Sequence, residues 1–154
     1  MDAAIKVSGD VTVAGQPSEQ RLRELFQDGF KSIVNFRTEG EEDMPLSPSA
    51  EGEAAQALDI QYYHIPISLK SLRPEMVDQF RQQFSGLPKP VYAHCKGGTR
   101  AGVMVLMHLA VEQGLTGQDA LRKADELGIR LNQPQIREFM TNYINSRSGR
   151  CGHR

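Results

Sequence analysis

A cysteine and an arginine flank a glycine-rich stretch near the middle of the chain. The segment reads Tyr92-Ala93-His94-Cys95-Lys96-Gly97-Gly98-Thr99-Arg100-Ala101, with four residues between the cysteine and the arginine. A thiolate is a strong nucleophile, and a guanidinium can donate two parallel hydrogen bonds to a tetrahedral oxyanion. Glycine lets backbone N–H groups approach an anion closely. The residue types and their spacing therefore indicate an anion-binding loop in which Cys95 attacks the bound group and Arg100 holds it.

The elements on both sides of this loop strengthen that interpretation. A short apolar strand, Pro90 to Ala93, precedes it, and an apolar helix, Ala101 to Glu112, follows it. A helix N-terminus presents unpaired N–H groups and the positive end of its dipole to an anion. We therefore expect Cys95 to be a thiolate at neutral pH, with Thr99 as an additional hydroxyl donor and Lys96 as an outer charge. A buried cysteine or a Gly-Gly turn alone has an ordinary structural explanation, but the combination favours a site.

Alternating strand and helix patterns predict the α/β fold that would position the loop. We expect strands over Val11 to Ala14, Ser32 to Phe36, Ile60 to Ile65 and Pro90 to Ala93. We expect helices from Ser18 to Gly29 (with Leu22, Leu25 and Phe26 on its buried face), Ala50 to Leu58, Pro74 to Gly86, Ala101 to Glu112, Gly117 to Leu127 and Gln135 to Ile144. This order predicts a central sheet of four or five mostly parallel strands with helices on both faces. Ligands of such sheets bind at the carboxyl ends of the strands, where the segment from His94 to Arg100 falls.

Size and charge limit the class of protein. A chain of 154 residues with 39% hydrophobic content predicts one domain, residues 1–146, followed by a polar tail, residues 147–154. The net charge of -1 gives no general attraction to nucleic acid or to an anionic membrane, so neither is an expected partner. The apolar run from Ala101 to Val111 is shorter than the roughly 20 residues of a membrane span. We expect a cytoplasmic protein; its oligomeric state stays open.

Cysteine and histidine usage argues against a metal or a disulfide framework. Cys95 and Cys151 are the two cysteines, which is typical of a reducing compartment. None of the four histidines stands at a metal-ligand spacing from a cysteine: His64, His94, His108 and His153. We expect no metal and no cofactor. Cys151 can be a reversible disulfide partner of Cys95 or, as the simpler interpretation, part of a tail without function.

Several segments together resemble a known family. They are Ala14-Gly15-Gln16-Pro17-Ser18, Gly29-Phe30-Lys31-Ser32-Ile33-Val34-Asn35-Phe36-Arg37 with Gly40-Glu41 behind it, Tyr63-His64-Ile65-Pro66-Ile67, and the loop from His94 to Arg100. From about Val11 to Leu131 the chain resembles the beta-lactamase-hydrolase-like proteins, bacterial phosphatase-like domains that share the fold of the protein tyrosine and dual-specificity phosphatases. The resemblance implies a phosphorylated substrate or phosphoprotein as partner.

The resemblance also assigns roles to the residues of the loop. It implies that Cys95 forms a phosphocysteine, that Arg100 clamps phosphate, and that the amides from Lys96 to Arg100 complete the cradle. The side chain of His94 would support the loop by hydrogen bonding. The substrate-binding set is then His94, Lys96, Gly97, Gly98, Thr99 and Ala101.

Three departures from the phosphatase pattern shape the expected chemistry. Tyrosine phosphatases have five residues between the cysteine and the arginine, whereas this loop has four. Ala101 replaces the hydroxyl residue after the arginine, and Ser68 stands where the general acid is expected. The nearest acidic candidates are Glu75 and Asp78, and an earlier loop that carries Glu39, Glu41, Glu42 and Asp43 could fold over the site. A weak or absent acid favours aryl phosphates such as phosphotyrosine, whose leaving groups need little protonation.

Two alternatives stay open at the level of sequence. Single-domain rhodaneses resemble the short loop, and there Cys95 would carry a persulfide in a sulfur-transfer reaction that needs no general acid. A phosphate-binding pseudoenzyme is the other alternative, favoured by Ala101 and Ser68. Arg37 can either contribute positive charge to the pocket or form a surface salt bridge with Glu39 or Glu41. His64 and His108 are interpreted as packed or capping histidines.

Overall fold

The computed structural model describes residues 4–152, with side chains described as far as residue 147. The strands are β1 (Ile5–Ser8), β2 (Val11–Ala14), β3 (Ser32–Asn35), β4 (Gln61–His64) and β5 (Val91–His94). The helices are α1 (Glu19–Gln27), α2 (Pro48–Ala57), α3 (Pro74–Ser85), α4 (Thr99–Gln113), α5 (Gly117–Leu127) and α6 (Pro134–Gly152). The strand order is β1-β2-β5-β3-β4; within residues 4–152 the β1–β2 pair is antiparallel and the other three pairs are parallel. The mostly parallel α/β sheet expected from the sequence is confirmed.

The parallel strands end in register at one edge of the sheet. His94 at the end of β5 lies opposite Ala14 of β2 and Asn35 of β3, and Asn35 lies opposite His64 of β4. The residues after each strand therefore emerge side by side. This register brings the segments that follow β2, β3, β4 and β5 to one place.

The two faces of the sheet bury two apolar clusters. Residues of α1 and α2 pack on one face around Leu25 and Ile33, while α3 to α6 cover the other. Helix α4 is buried on nearly all sides, as its apolar composition predicted. A Cβ atom on Gly102 would lie 2.8 Å from the Ile129 side chain, so α4 packs tightly against the segment after α5. No helix within residues 4–152 is long and apolar enough to cross a membrane.

Local sequence signals set several helix ends. The Ser18 hydroxyl accepts a hydrogen bond from the Arg21 amide and caps α1, and Pro74 opens α3, both as predicted. Phe26 was expected on the buried face of α1, but it is 53% exposed, which corrects that prediction. Helix α6 runs to Gly152 rather than ending near Ile144, so the predicted end was wrong. One reason is that Arg147 pairs with Asp78 of α3 and holds the extra turns against the domain.

Candidate active site

The sulfur of Cys95 lies where β5 turns into α4. The Cys95 side chain is buried, and its backbone N–H donates to the Ala14 carbonyl oxygen at 3.3 Å. Gly98 adopts a φ of 100°, a left-handed conformation that other residues rarely adopt. This turn directs the Gly98 N–H to the Cys95 sulfur at 3.1 Å. The amides of the first turn of α4 have no partner within the helix, so the loop can offer further donors to an anion.

Arg100, in the first turn of α4, is held by a carboxylate. Its Nη1 and Nη2 donate to the two oxygens of Glu41 at 2.7 Å and 3.0 Å, and Nη1 also contacts the Ile67 carbonyl oxygen at 3.2 Å. The hydrogen bonds that Arg100 donates to Glu41 raise the pKa of Arg100, and the charge of the nearby Cys95 raises it further. Glu41 takes one hydrogen bond from each of the two terminal nitrogens, Nη1 and Nη2. The side of the guanidinium that carries Nε is then left to donate to a tetrahedral oxyanion.

Glu41 joins two arginines across the loop that follows β3. Arg37 is fully buried, and its Nε donates to Glu41 Oε1 at 3.0 Å. Thr38 donates to Glu41 from both its backbone N–H, at 2.6 Å, and its hydroxyl, at 2.9 Å. The hydrogen bond from Arg100 is the main cause that holds the pKa of Glu41 well below its usual range, and the donors Thr38 and Arg37 lower it further. Glu41 is therefore ionised, and it fixes Arg100 to the wall of the site.

A second buried pair lies behind the loop. His94 and Glu51 are both fully buried, and His94 Nε2 lies 2.6 Å from Glu51 Oε2. Gln16 joins this pair to the arginines, because its Nε2 donates to Glu51 Oε1 at 3.1 Å and its Oε1 accepts from Arg37 Nη1 at 2.9 Å. The chain of contacts runs from His94 through Glu51, Gln16, Arg37 and Glu41 to Arg100. It determines where the arginine stands relative to the cysteine.

A cavity of about 550 Å³ opens above the sulfur. Its volume is suited to a small organic ligand. Among the described residues that line it, Glu41 is the one carboxylate. The lining consists of Thr38, Glu41, Ile67, Ser68, Leu69, Lys70, Cys95, Gly97, Thr99, Arg100 and Gln133. Ser68 therefore stands at the wall, and no free carboxylic acid stands beside it in the described part of the chain.

Several predicted site residues lie elsewhere. Lys96 does not line this cavity and pairs with Asp43 at 3.6 Å, while Ala101 is fully buried. The Asp78 carboxylate accepts hydrogen bonds from Arg147, which lower its pKa. Neither Glu75 nor Asp78 lines the cavity, so the structure does not bring these two acid candidates to Cys95.

Three further predictions concern residues around the site. Arg37 does pair with Glu41, as one interpretation had it, but the pair is not a surface salt bridge because Arg37 is fully buried. His64 is hydrogen bonded through Nε2 to the carbonyl oxygen of Arg37 and supports the loop. His108 packs against Phe84, with ring centroids 4.8 Å apart, which confirms its structural role.

Sequence reasoning missed Glu51 and the side-chain role of Gln16. Glu51 lies on the buried face of α2 together with Ala55, one helical turn further on. The sequence did contain a signal: Glu51 is an acidic residue on the apolar side of a short Ala-rich helix. Because buried carboxylates are rare unless they are paired, this position indicates a buried partner. The identity of that partner could not be predicted from neighbouring residues, because His94 follows Glu51 by 43 positions.

The chain is similar to one family of known proteins. The family model described as beta-lactamase hydrolase-like protein, phosphatase-like domain, matches residues 4–115. A beta-lactamase hydrolase-like protein of Agrobacterium fabrum is 34% identical over 116 residues, which cover 75% of this chain and 27% of that protein. The chain thus spans about a quarter of the length of this curated relative.

Solved structures show the same fold. A proposed phosphatase from Neisseria meningitidis has a TM-score of 0.75 at 23% identity, covering 90% of this chain and 96% of its own. The structure of Tk-PTP in its active form has a TM-score of 0.77 at 21% identity, covering 94% of this chain and 97% of its own. The architecture described above is therefore that of the protein tyrosine phosphatase-like fold.

Proposed function

The chain belongs to the phosphatase-like domain family of the beta-lactamase hydrolase-like proteins, and from that premise we propose that it is a cysteine-dependent phosphatase. The proposed activity is of the protein tyrosine and dual-specificity type. The substrates are aryl phosphate monoesters such as phosphotyrosine, and the intermediate is a thiophosphate on Cys95. A phosphorylated small molecule or a phosphoprotein is the partner.

One observation carries the proposal: the Gly98 N–H donates to the Cys95 sulfur at 3.1 Å, at the N-terminus of a buried helix. A backbone hydrogen-bond donor and a helix N-terminus at this point both interact favourably with negative charge, on the sulfur or on a bound oxyanion. The nucleophile and the clamp also share one cavity, since Cys95 and Arg100 both contribute to its wall. A nucleophile and an oxyanion donor facing one cavity are the minimum requirement for phosphoryl transfer.

The proposed reaction has two steps. The Cys95 sulfur attacks phosphorus, the bond from phosphorus to the aryl oxygen breaks, and its electron pair leaves on that oxygen. Arg100 and the loop amides hold the nonbridging oxygens while charge develops on them. Water then attacks the phosphorus of the phosphocysteine, the electron pair of the S–P bond returns to sulfur, and the released phosphate keeps both protons of the water. Glu41 acts as a positioning residue, because it touches Arg100 rather than the reacting atoms.

Glu41 is poorly suited to be the general acid of the first step. Its pKa is held well below the usual range, mainly by Arg100, so it carries no proton to donate near neutral pH. A phenol has a pKa of about 10 and leaves more readily than an alcohol. The site therefore favours aryl phosphates over phosphoserine.

Mass spectrometry of the intact protein tests this function directly. Incubation with para-nitrophenyl phosphate followed by an acid quench should add one phosphoryl group to Cys95. The Cys95→Ser variant should lose turnover while it keeps phosphate binding, and Arg100→Ala should lose both. The Cys151→Ser variant is the matched control and should keep the activity. Full activity of Cys95→Ser would contradict the mechanism whatever the fold.

Sulfur transfer is the second candidate function. The observations that favour it are the four-residue spacing between Cys95 and Arg100 and the lack of a free acid among the described residues of the cavity. Incubation with thiosulfate, followed by mass spectrometry, would then show a persulfide on Cys95 that cyanide removes. Tight phosphate binding without either adduct would instead indicate a pseudoenzyme.

A further inference from the structure

The cavity above Cys95 continues beyond the catalytic loop into a second cavity. The second cavity has a volume of about 270 Å³ and lies along the segment that connects α5 and α6. The two share Leu69, Thr99 and Gln133 in their walls, so they form one continuous groove. A substrate whose phosphoryl group rests at Cys95 would extend its leaving group over these shared residues.

Two cations that have no partner among the described residues line this groove. Lys70 contributes to the first cavity and Arg130 to the second, and both side chains are exposed. In the described part of the chain, neither makes an ion pair or a side-chain hydrogen bond, whereas Arg37 and Arg100 are both paired with Glu41. Since Glu41 is the sole carboxylate in the two described linings, the outer groove has an uncompensated positive charge. A groove with this charge attracts an anionic group.

The chemistry at the sulfur sets a second, independent requirement. Because Glu41 is the one carboxylate in the described linings and is ionised, no carboxylic acid stands ready to protonate the leaving oxygen, and a group that departs readily as an anion is favoured. A phosphate monoester loses its second proton near pH 6, so it leaves readily without protonation. A phenol, with a pKa of about 10, meets this requirement less well and brings no charge for Lys70 and Arg130.

We infer that the preferred substrate of this site, ahead of the aryl monoesters that it also hydrolyses, is an organic diphosphate, a phosphoanhydride whose terminal phosphoryl group is transferred to Cys95 while Lys70 and Arg130 bind the phosphate that leaves. This inference rests on the proposed function. The thiolate sulfur bonds to the terminal phosphorus, the bond from that phosphorus to the bridging oxygen breaks, and its electron pair stays on the departing phosphate monoester. The oxygen of a water molecule then bonds to this phosphorus, the S–P bond breaks with its electron pair returning to sulfur, and both water protons leave on inorganic phosphate. Each step conserves charge without an external acid.

Two substrates with the same organic group test the inference on the full chain. The kcat/KM values for phenyl phosphate and phenyl diphosphate are measured in EDTA, so that no divalent cation shields the diphosphate. The wild-type protein should prefer phenyl diphosphate by at least about tenfold, and the Lys70→Gln/Arg130→Gln variant should reduce this preference by about tenfold, as expected for the loss of two exposed charge contacts. Lys31→Gln/Arg23→Gln, an equal change of charge at exposed residues outside the groove, should preserve the preference.

The outcomes separate this inference from the proposed function. Equal or lower kcat/KM for phenyl diphosphate, or an equal loss on both substrates in Lys70→Gln/Arg130→Gln, would overturn the inference and leave the phosphatase intact. The absence of a phosphoryl adduct on Cys95 with either substrate or with para-nitrophenyl phosphate would overturn both. A circular dichroism spectrum of each variant establishes that it is folded.

Discussion

Replacing Glu41 by glutamine should destabilise the domain substantially, because this carboxylate is the counter-charge of two arginines. Arg37 is fully buried, and the side chains of Glu41 and Arg100 are only 19% and 18% exposed. Removal of one partner from a buried ion pair costs about 3–5 kcal/mol, since the remaining charge loses its compensation. Glutamine keeps one oxygen acceptor, so we expect a loss of about 3 kcal/mol in the free energy of unfolding at pH 7.

Urea denaturation provides the assay, and a neighbouring carboxylate provides the control. With a slope of about 2 kcal/mol per M, the loss would lower the midpoint by about 1.5 M. Glu42→Gln makes the same change of charge at an exposed residue of the same loop and should cost less than about 0.5 kcal/mol. Equal midpoints for the two variants would refute the assignment of Glu41 as the shared counter-charge.

Acid should remove the difference between wild type and Glu41→Gln. The folded pKa of Glu41 lies below its ordinary value of 4.5, so the unfolded chain takes up the proton first as the pH falls. The stability that Glu41 contributes is therefore fully present well above pH 4.5 and is lost progressively below it. The two denaturation midpoints should converge in that range, and a constant difference down to pH 3 would contradict this linkage.

Three further changes should have measurable effects. Glu51→Ala should lower the free energy of unfolding by about 3 kcal/mol and reduce kcat/KM, because it leaves buried His94 without its partner. Gly98→Ala should cost about 1–3 kcal/mol and distort the loop, because a φ of 100° strains an alanine. Burial, helped by the charge of Arg81, lowers the pKa of His108 to about 4 from 6.5. The unfolded chain therefore takes up the His108 proton first as the pH falls from 6.5 to 4, and wild type should lose on the order of 2 kcal/mol more stability over this range than His108→Phe. Denaturation as a function of pH measures the last effect, and parallel pH profiles of the two proteins would count against it.

Each of these predictions has its own check. Glu53→Ala, at an exposed position of α2, is the matched control for Glu51→Ala and should leave stability within about 0.5 kcal/mol. Gly97→Ala probes the same loop as Gly98→Ala but at a residue where an added Cβ meets nothing within 4 Å. Equal losses for Gly97→Ala and Gly98→Ala would argue against backbone strain as the cause.

Short-range patterns predicted most of the secondary structure and the reactive pair. Apolar spacing, Ser18 and Pro74 located helices, and the order of elements indicated a parallel sheet, because these signals act between neighbours in the chain. The segment from Cys95 to Arg100 was recognisable for the same reason. Strand β1 was not predicted, and the exposure of Phe26 was not foreseen, since burial depends on which elements lie opposite.

The sequence by itself determined the nucleophile candidate, its loop and the helix behind it, since these lie within one continuous segment. Only the tertiary structure decided what surrounds them. The pairs Glu41–Arg100 and Glu51–His94 join residues 59 and 43 positions apart, so they exist only once the strand ends stand in register. In the folded chain Asp78 pairs with Arg147 and does not line the cavity of Cys95, while Lys70 and Arg130 line one groove. Contacts at such separations arise from chain closure and packing, and no local spacing encodes them.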